Sequence, residues 1–303
     1  MDQNNSQISG TAWERPDSVE HACALLADGG AGWRVAAGCT AVPPSQLIAD
    51  PAVSTIVDAM ALDSLSGIES SESGVRIGAT TTLAAIAASD LVSEAAPLLT
   101  RAAAGIGDEV IRGMATVGGN VASREARQLE LPIVMAALDA DIAIASMGAE
   151  RTIGAAELCD RAFSLAGDEL IVAIDAPRAS GDWAYRKITT NLDSYGIACL
   201  AITVPTGAAP RVVAGLGESI PQRLPLAERW LTEEGKRDGD AGSARGRGTT
   251  TEVAQLACAE LFAIDDGLST AAYRRQALAA ALAAELTRLA AGDVTAGGEP
   301  SGT

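Results

Sequence analysis

Apolar positions in this chain fall into short runs separated by glycine, proline and charge. The stretch VEHACALLADGG predicts a helix, with Asp17 or Ser18 as its cap and Gly29–Gly30 as its end. WRVAAG then reads as a buried strand that turns at Gly38. PAVSTIVDA reads as a second strand, and VRIGATTTLAAIAA as a strand running into a helix. AAPLLTRAAAGIG predicts a helix broken by its glycines, whereas GMATVGGNVAS is too rich in glycine for a long helix. LPIVMAALDADIAIAS predicts a helix, a turn at residues 139–141 and a strand. ELIVAIDAP is a strong strand pattern. DWAYRKITTNLDSYGIACLAITVP holds two more strands and RVVAGLG another. Two helices follow, over TEVAQLACAELFA and TAAYRRQALAAALAAELTRLA.

Strands and helices mix without strict alternation, which predicts an α+β fold. Residues 1–12 read as a loose arm, and PRASGD at 177–182 as the best boundary between domains. Residues 232–250 are charged and Gly-rich and read as an exposed loop; residues 291–303 read as a disordered tail.

The 303 residues suffice for two ordinary domains. With 48 % apolar residues but only four Trp, three Tyr and two Phe, the core is expected to be aliphatic. A net charge of −17 repels phosphate backbones and argues against nucleic acid as a partner. The polar start gives no secretory signal, and no apolar run suggests a membrane span. Five scattered cysteines and one histidine, His21, provide neither a zinc site nor a cluster-binding pattern, and a reduced cytoplasmic setting is expected.

Two Gly-rich turns carry the candidate chemistry. One is Ala37-Gly38-Cys39-Thr40; the other is Thr116-Val117-Gly118-Gly119-Asn120. Glycine permits tight turns and close ligand approach, and successive N–H groups in such turns make anion sites. Two such turns suit the two phosphates of a dinucleotide. Neither is GxGxxG or a P-loop, and a single histidine nearly excludes a Ser–His–Asp triad.

Taken in order along the chain, these motifs resemble the FAD-binding medium subunits of molybdenum hydroxylases, the xanthine dehydrogenase and carbon monoxide dehydrogenase group. WERPDSVEHACALLADG is similar to that family's opening, RVAAGCTAV to its first FAD turn and VRIGATTTLAAIA to its next strand–helix segment. IRGMATVGGNVAS resembles its second FAD turn, the most specific of the motifs. LELPIVMAALDA, YRKITTNLDSYGIA, GLGESIPQRLPLAE and STAAYRRQAL follow in the family's order. Three positions depart from the pattern: Cys39 replaces a usual glycine, Glu130 a usual aspartate and Asn191 a frequent arginine.

The resemblance implies an FAD-binding domain of the p-cresol methylhydroxylase or vanillyl-alcohol-oxidase type, in subdomains 13–58 and 59–177. A C-terminal antiparallel sheet with helices would span 182–290. Val35, Ala36, Ala37, Gly38, Cys39, Thr40, Ala41 and Val42 would hold the FAD pyrophosphate together with Thr116, Val117, Gly118, Gly119 and Asn120, through N–H and hydroxyl contacts. Glu130 would contact the ribityl or adenosine part, Ile171 would lie near the flavin, and Lys187 and Tyr195 would approach its ring as the catalytic side chains. Electrons would arrive from a [2Fe–2S] partner and leave to NAD⁺, oxygen or another acceptor, while a separate molybdenum-cofactor subunit oxidises substrate. A standalone flavoenzyme and a scaffold that has lost FAD are the alternatives.

Overall fold

The computed structural model describes residues 11–123, 130–190, 196–217, 220–234 and 249–291. Among these residues the strands form three sheets. The fold is mixed α/β, with helices gathered between and outside the sheets.

The first sheet is small and parallel. It takes β1 (Ala12–Glu14), β2 (Trp33–Ala36) and β3 (Thr55–Asp58) in the order β1-β3-β2. Of the arm expected over 1–12, residues 1–10 lie outside the described residues, and Ala12 belongs to β1, its backbone paired with Thr55. Between β1 and β2 runs α1 (Val19–Gly29). Ser18 caps it by accepting from the His21 N–H, and Gly30 ends it at φ 56, a conformation that glycine adopts without steric cost. The short α2 (Pro44–Ala49) connects β2 to β3.

The second sheet is antiparallel and contains β4 (Ile68–Ser70), β5 (Gly74–Gly78), β6 (Asp141–Ser146), β7 (Ala149–Gly154) and β8 (Leu170–Pro177), ordered β4-β5-β8-β6-β7. Among the described residues, six helices lie between β5 and β6: α3 (Leu83–Ala87), α4 (Asp90–Ala95), α5 (Pro97–Ala104), α6 (Glu109–Met114), α7 (Val117–Ala122) and α8 (Glu130–Leu138). The Gly-rich second turn is thus a six-residue helix, begun where the Thr116 side chain accepts from Gly119 N–H. Every residue of α8 is buried. A helix apolar all round must be enclosed, and each fully buried Leu or Ile there contributes about 1.5–3 kcal/mol.

The third sheet encloses α8 from the other side. β9 (Asp182–Ile188), β10 (Ala198–Val204), β11 (Arg211–Gly215) and β12 (Gln222–Arg223) form an antiparallel ladder. Alternation splits its residues between two cores. Tyr185, Cys199, Ala201 and Val213 join the large core around α5 and α8. Ala184, Ala198, Leu200 and Ile202 pack with α9 (Pro225–Glu234), α10 (Thr250–Ala259) and α11 (Ala271–Ala290). α9 extends to Glu234 and α10 starts at Thr250, so the loop expected over 232–250 is shorter at both ends. A capping box between Thr249 and Glu252 fixes the start of α10. Residues 235–248, and the tail expected over 291–303 except for residue 291, lie outside the described residues. Among the described residues no helix is long and apolar enough to cross a membrane.

Candidate functional site

A cleft of about 860 Å³ opens where the first two sheets meet, within the range of ordinary ligand pockets. One wall is the turn after β2, residues Arg34 to Val42, backed by Gln46, Leu47 and Asp50. Opposite stand Ala115, Thr116, Gly118, Gly119, Asn120 and Ser123. Leu165, Glu169, Leu170 and Ile171 complete the enclosure.

The two Gly-rich turns meet because Gly38 lacks a side chain. A Cβ at residue 38 would stand 1.9 Å from the Met114 carbonyl oxygen. Gly118 is equally confined, since a Cβ there would lie 2.7 Å from Ala79 Cβ and 2.8 Å from Ala79 O. Cys39 occupies φ 52, a left-handed conformation that costs a non-glycine residue about 1 kcal/mol. Its side chain packs beside Ala36, Val53, Leu47 and Ile48. Burial, with a smaller push from Asp58, raises its thiol above the usual range.

The turns offer different groups to a ligand. In the second turn the N–H groups are already used. Val117 donates to Thr81 O, Gly118 to Ala79 O, Gly119 to Thr116 Oγ1 and Asn120 to Thr116 O. Two of these bonds close the start of α7 on Thr116, and two tie its first residues to the backbone of residues 79 and 81. Val117 is fully buried and does not line the cleft. What remains is side-chain chemistry. Asn120 is 5 % exposed, and its Oδ1 has no hydrogen-bond partner; the Ser123 hydroxyl is likewise unsatisfied. Both residues line the cleft. In the first turn, among the described residues, none of the N–H groups from Gly38 to Val42 donates to the protein. A run of free N–H donors faces a buried, unpaired acceptor across one cavity.

That arrangement fits a dinucleotide such as FAD. Diphosphate oxygens need donors, and ribose or ribityl hydroxyls need acceptors. A buried polar atom left without a partner costs about 1–3 kcal/mol, which a ligand hydroxyl on Asn120 Oδ1 would relieve.

Glu130 and Lys187 occupy another place. Lys187 Nζ lies 3.2 Å from Glu130 Oε1 and donates to Gly105 O at 2.9 Å. Neither residue is among those lining the cleft. The resemblance sets both on the cofactor; in the structure they bond each other. Burial, then the Glu130 charge, pushes the nearby Cys199 thiol up to about 12, and burial holds the Tyr185 phenol well above its usual value. Tyr195 and Asn191 lie outside the described residues.

Leu47, Leu165 and Glu169 line the cleft without any sequence motif to announce them. Glu169 is held by Arg151, whose guanidinium keeps the carboxyl below the usual carboxylate range against the opposing effect of burial. The only sequence signal was the strand that follows Glu169.

The chain is similar to several known proteins. The 6-hydroxypseudooxynicotine dehydrogenase complex subunit alpha of Paenarthrobacter nicotinovorans is 38 % identical over 164 residues, 54 % of this chain and 55 % of that protein. The chain thus spans little more than half of that relative's length. The carbon monoxide dehydrogenase medium chain of Afipia carboxidovorans is 28 % identical over 266 residues, covering 86 % of this chain and 90 % of that one. A crystal structure of the Cu,Mo-CO dehydrogenase in its cyanide-inactivated form superposes with a TM-score of 0.79 at 26 % identity, over 94 % of this chain and 99 % of the other. Quinoline 2-oxidoreductase from Pseudomonas putida 86, at 23 % identity and a TM-score of 0.79, shares the fold over 96 % of this chain and 100 % of its own. The family described as the FAD binding domain in molybdopterin dehydrogenase matches residues 6–179. That match covers more than half of the chain and includes both glycine turns, so the protein belongs to this family and is an FAD-dependent flavoprotein of the molybdenum-hydroxylase group of oxidoreductases.

Proposed function

We propose that this chain is the electron-transferring flavin subunit of a multi-subunit dehydrogenase. A [2Fe–2S] protein delivers electrons, a separate molybdenum-cofactor chain oxidises the substrate, and NAD⁺, oxygen or another acceptor takes the electrons away. The relatives that are themselves called medium chains or medium subunits support this assembly. The observation that carries the flavin role is the pairing, in one cleft, of the free N–H turn at Gly38–Val42 with the orphaned Asn120 acceptor.

In this reading the domain is of the p-cresol methylhydroxylase or vanillyl-alcohol-oxidase type, with FAD clamped between subdomains 13–58 and 59–177 and a third unit over 182–290. Support comes from the cleft, whose walls derive from both the parallel sheet and the larger antiparallel sheet. The cofactor supplies the redox chemistry that side chains lack. The chain's own residues bind and orient it. Gly38 to Val42 hold the diphosphate by N–H donation, the Thr116 and Ser123 hydroxyls and the Asn120 amide hold sugar oxygens, and Leu47, Leu165, Leu170 and Ile171 exclude water. Lys187 and Glu130 lie close to Gly196, where a Cβ would stand 3.5 Å from Lys187 Cγ and 3.6 Å from Glu130 Oε1.

An absorption spectrum of the purified chain, taken before and after adding FAD and removing the excess, tests the reading. Flavin bands at one FAD per chain are expected. A protein that retains no flavin at any concentration of added FAD overturns it.

A further inference from the structure

One wall of the cleft is built from chain with little regular structure. Residues 160–169 connect the 3₁₀ turn Ala155–Cys159 to β8, and this stretch brings Leu165 and Glu169 to the cavity. No strand ladder fixes it; Phe163 and Leu165 pack on the large core, and directed bonds set the rest.

Glu169 collects most of them. Its Oε1 accepts from Arg151 Nε at 2.6 Å, and its Oε2 accepts from Arg151 Nη2 at 3.0 Å and from the Ala166 N–H at 2.8 Å. The Glu169 N–H donates back to Ala166 O at 3.1 Å. A reciprocal turn over residues 166–169 is thereby closed and pinned to β7, which carries Arg151. Leu165 comes just before this turn, and Leu170, just after it, opens β8 and pairs with Ala145, so the turn joins Leu165 to the edge of the sheet. The paired nitrogens of a guanidinium fix orientation as well as distance. Arg151 is not itself among the cleft's lining residues.

We propose that Arg151 is a positioning residue for the cofactor, setting the 165–169 stretch of the wall against bound FAD through its two bonds to Glu169 and so slowing release. The proposal rests on the flavin reading above. The Arg151 side chain is 43 % exposed and that of Glu169 10 %. An ion pair open to solvent on one side adds little to global stability. Its effect is therefore local, on the wall and the ligand behind it.

The test uses the full chain loaded with FAD, in wild-type form and as Arg151→Met, Arg151→Lys and Arg76→Met. Arg76 pairs with Asp175 on the same sheet, and neither residue lines the cleft. FAD dissociation is followed by the rise of free-flavin fluorescence after dilution, and the melting temperature of each apoprotein is recorded alongside. Arg151→Met is expected to speed release about tenfold, the lower end of what contacts that orient a binding group are worth. Arg151→Lys falls between, because an ammonium cannot make the paired bonds, and Arg76→Met releases FAD at the wild-type rate. Should Arg151→Met fail to fold, Glu169→Gln weakens the same contact and is expected to speed release as well. Release from Arg151→Met at the wild-type rate, or equal acceleration in Arg76→Met, overturns the proposal. Wild-type protein that never retains FAD overturns the flavin reading, and the proposal with it.

Discussion

Lys187 on β9 reaches across to Glu130 at the start of α8, placing its Nζ 3.2 Å from the carboxylate with the two side chains 11 % and 5 % exposed. The same ammonium donates to Gly105 O just after α5. One side chain thus ties the C-terminal sheet to two helices of the flavin domain. Removing one member of a buried pair leaves the other charge without compensation. Lys187→Met is expected to lower stability by about 3 kcal/mol, and adding Glu130→Leu to restore most of it. Denaturant unfolding of both variants measures the difference; a double variant as unstable as the single one would show that the charges are not coupled.

Gly38 has no room for a methyl group, with Met114 O 1.9 Å from where a Cβ would stand. Gly38→Ala is expected to push the two turns apart and destabilise the fold by about 1–3 kcal/mol, as overpacking does, while weakening FAD in titration. Gly113, in α6, has nothing within 4 Å of its would-be Cβ. Gly113→Ala is expected to stabilise by about 0.5–1 kcal/mol through helix propensity. Similar melting temperatures for the two variants would refute the argument.

Cys39 sits at φ 52 in the turn after β2. Glycine relieves that strain, so Cys39→Gly is expected to gain up to about 1 kcal/mol and to keep its FAD affinity. Calorimetry and flavin titration check both parts. A lower melting temperature would mean that the Cys39 packing against Ala36, Val53 and Ile56 outweighs the backbone cost.

Asn120 carries a buried amide oxygen without a partner. Asn120→Ala is therefore expected to cost the apoprotein little, yet to weaken FAD about tenfold, the worth of roughly one hydrogen bond to a buried acceptor. Comparing apoprotein stability with flavin affinity separates the two effects. Unchanged affinity would remove Asn120 from the site.

Much of the framework was legible along the chain. Ser18 and Gly30 bound α1 as their capping chemistry predicts, and ELIVAIDAP forms β8. These features depend on neighbours a few residues apart, where periodicity and turn chemistry act. The glycine turns could also be found by inspection, since glycine marks places where a backbone must bend or approach another closely. The resemblance of ordered motifs named the cofactor.

What the sequence by itself determined was therefore local: where elements start and stop, which residues are apolar, and which turns suit a phosphate. Tertiary structure alone decided that the N–H groups of residues 117–120 find partners at Thr116 and at the backbone of residues 79 and 81, while Asn120 Oδ1 is buried without one. It alone joined Glu130 to Lys187 and Arg151 to Glu169. Charged residues look alike in sequence whether solvated or paired. Their partners are fixed only when apolar burial packs distant elements together, and burial then makes pairing obligatory.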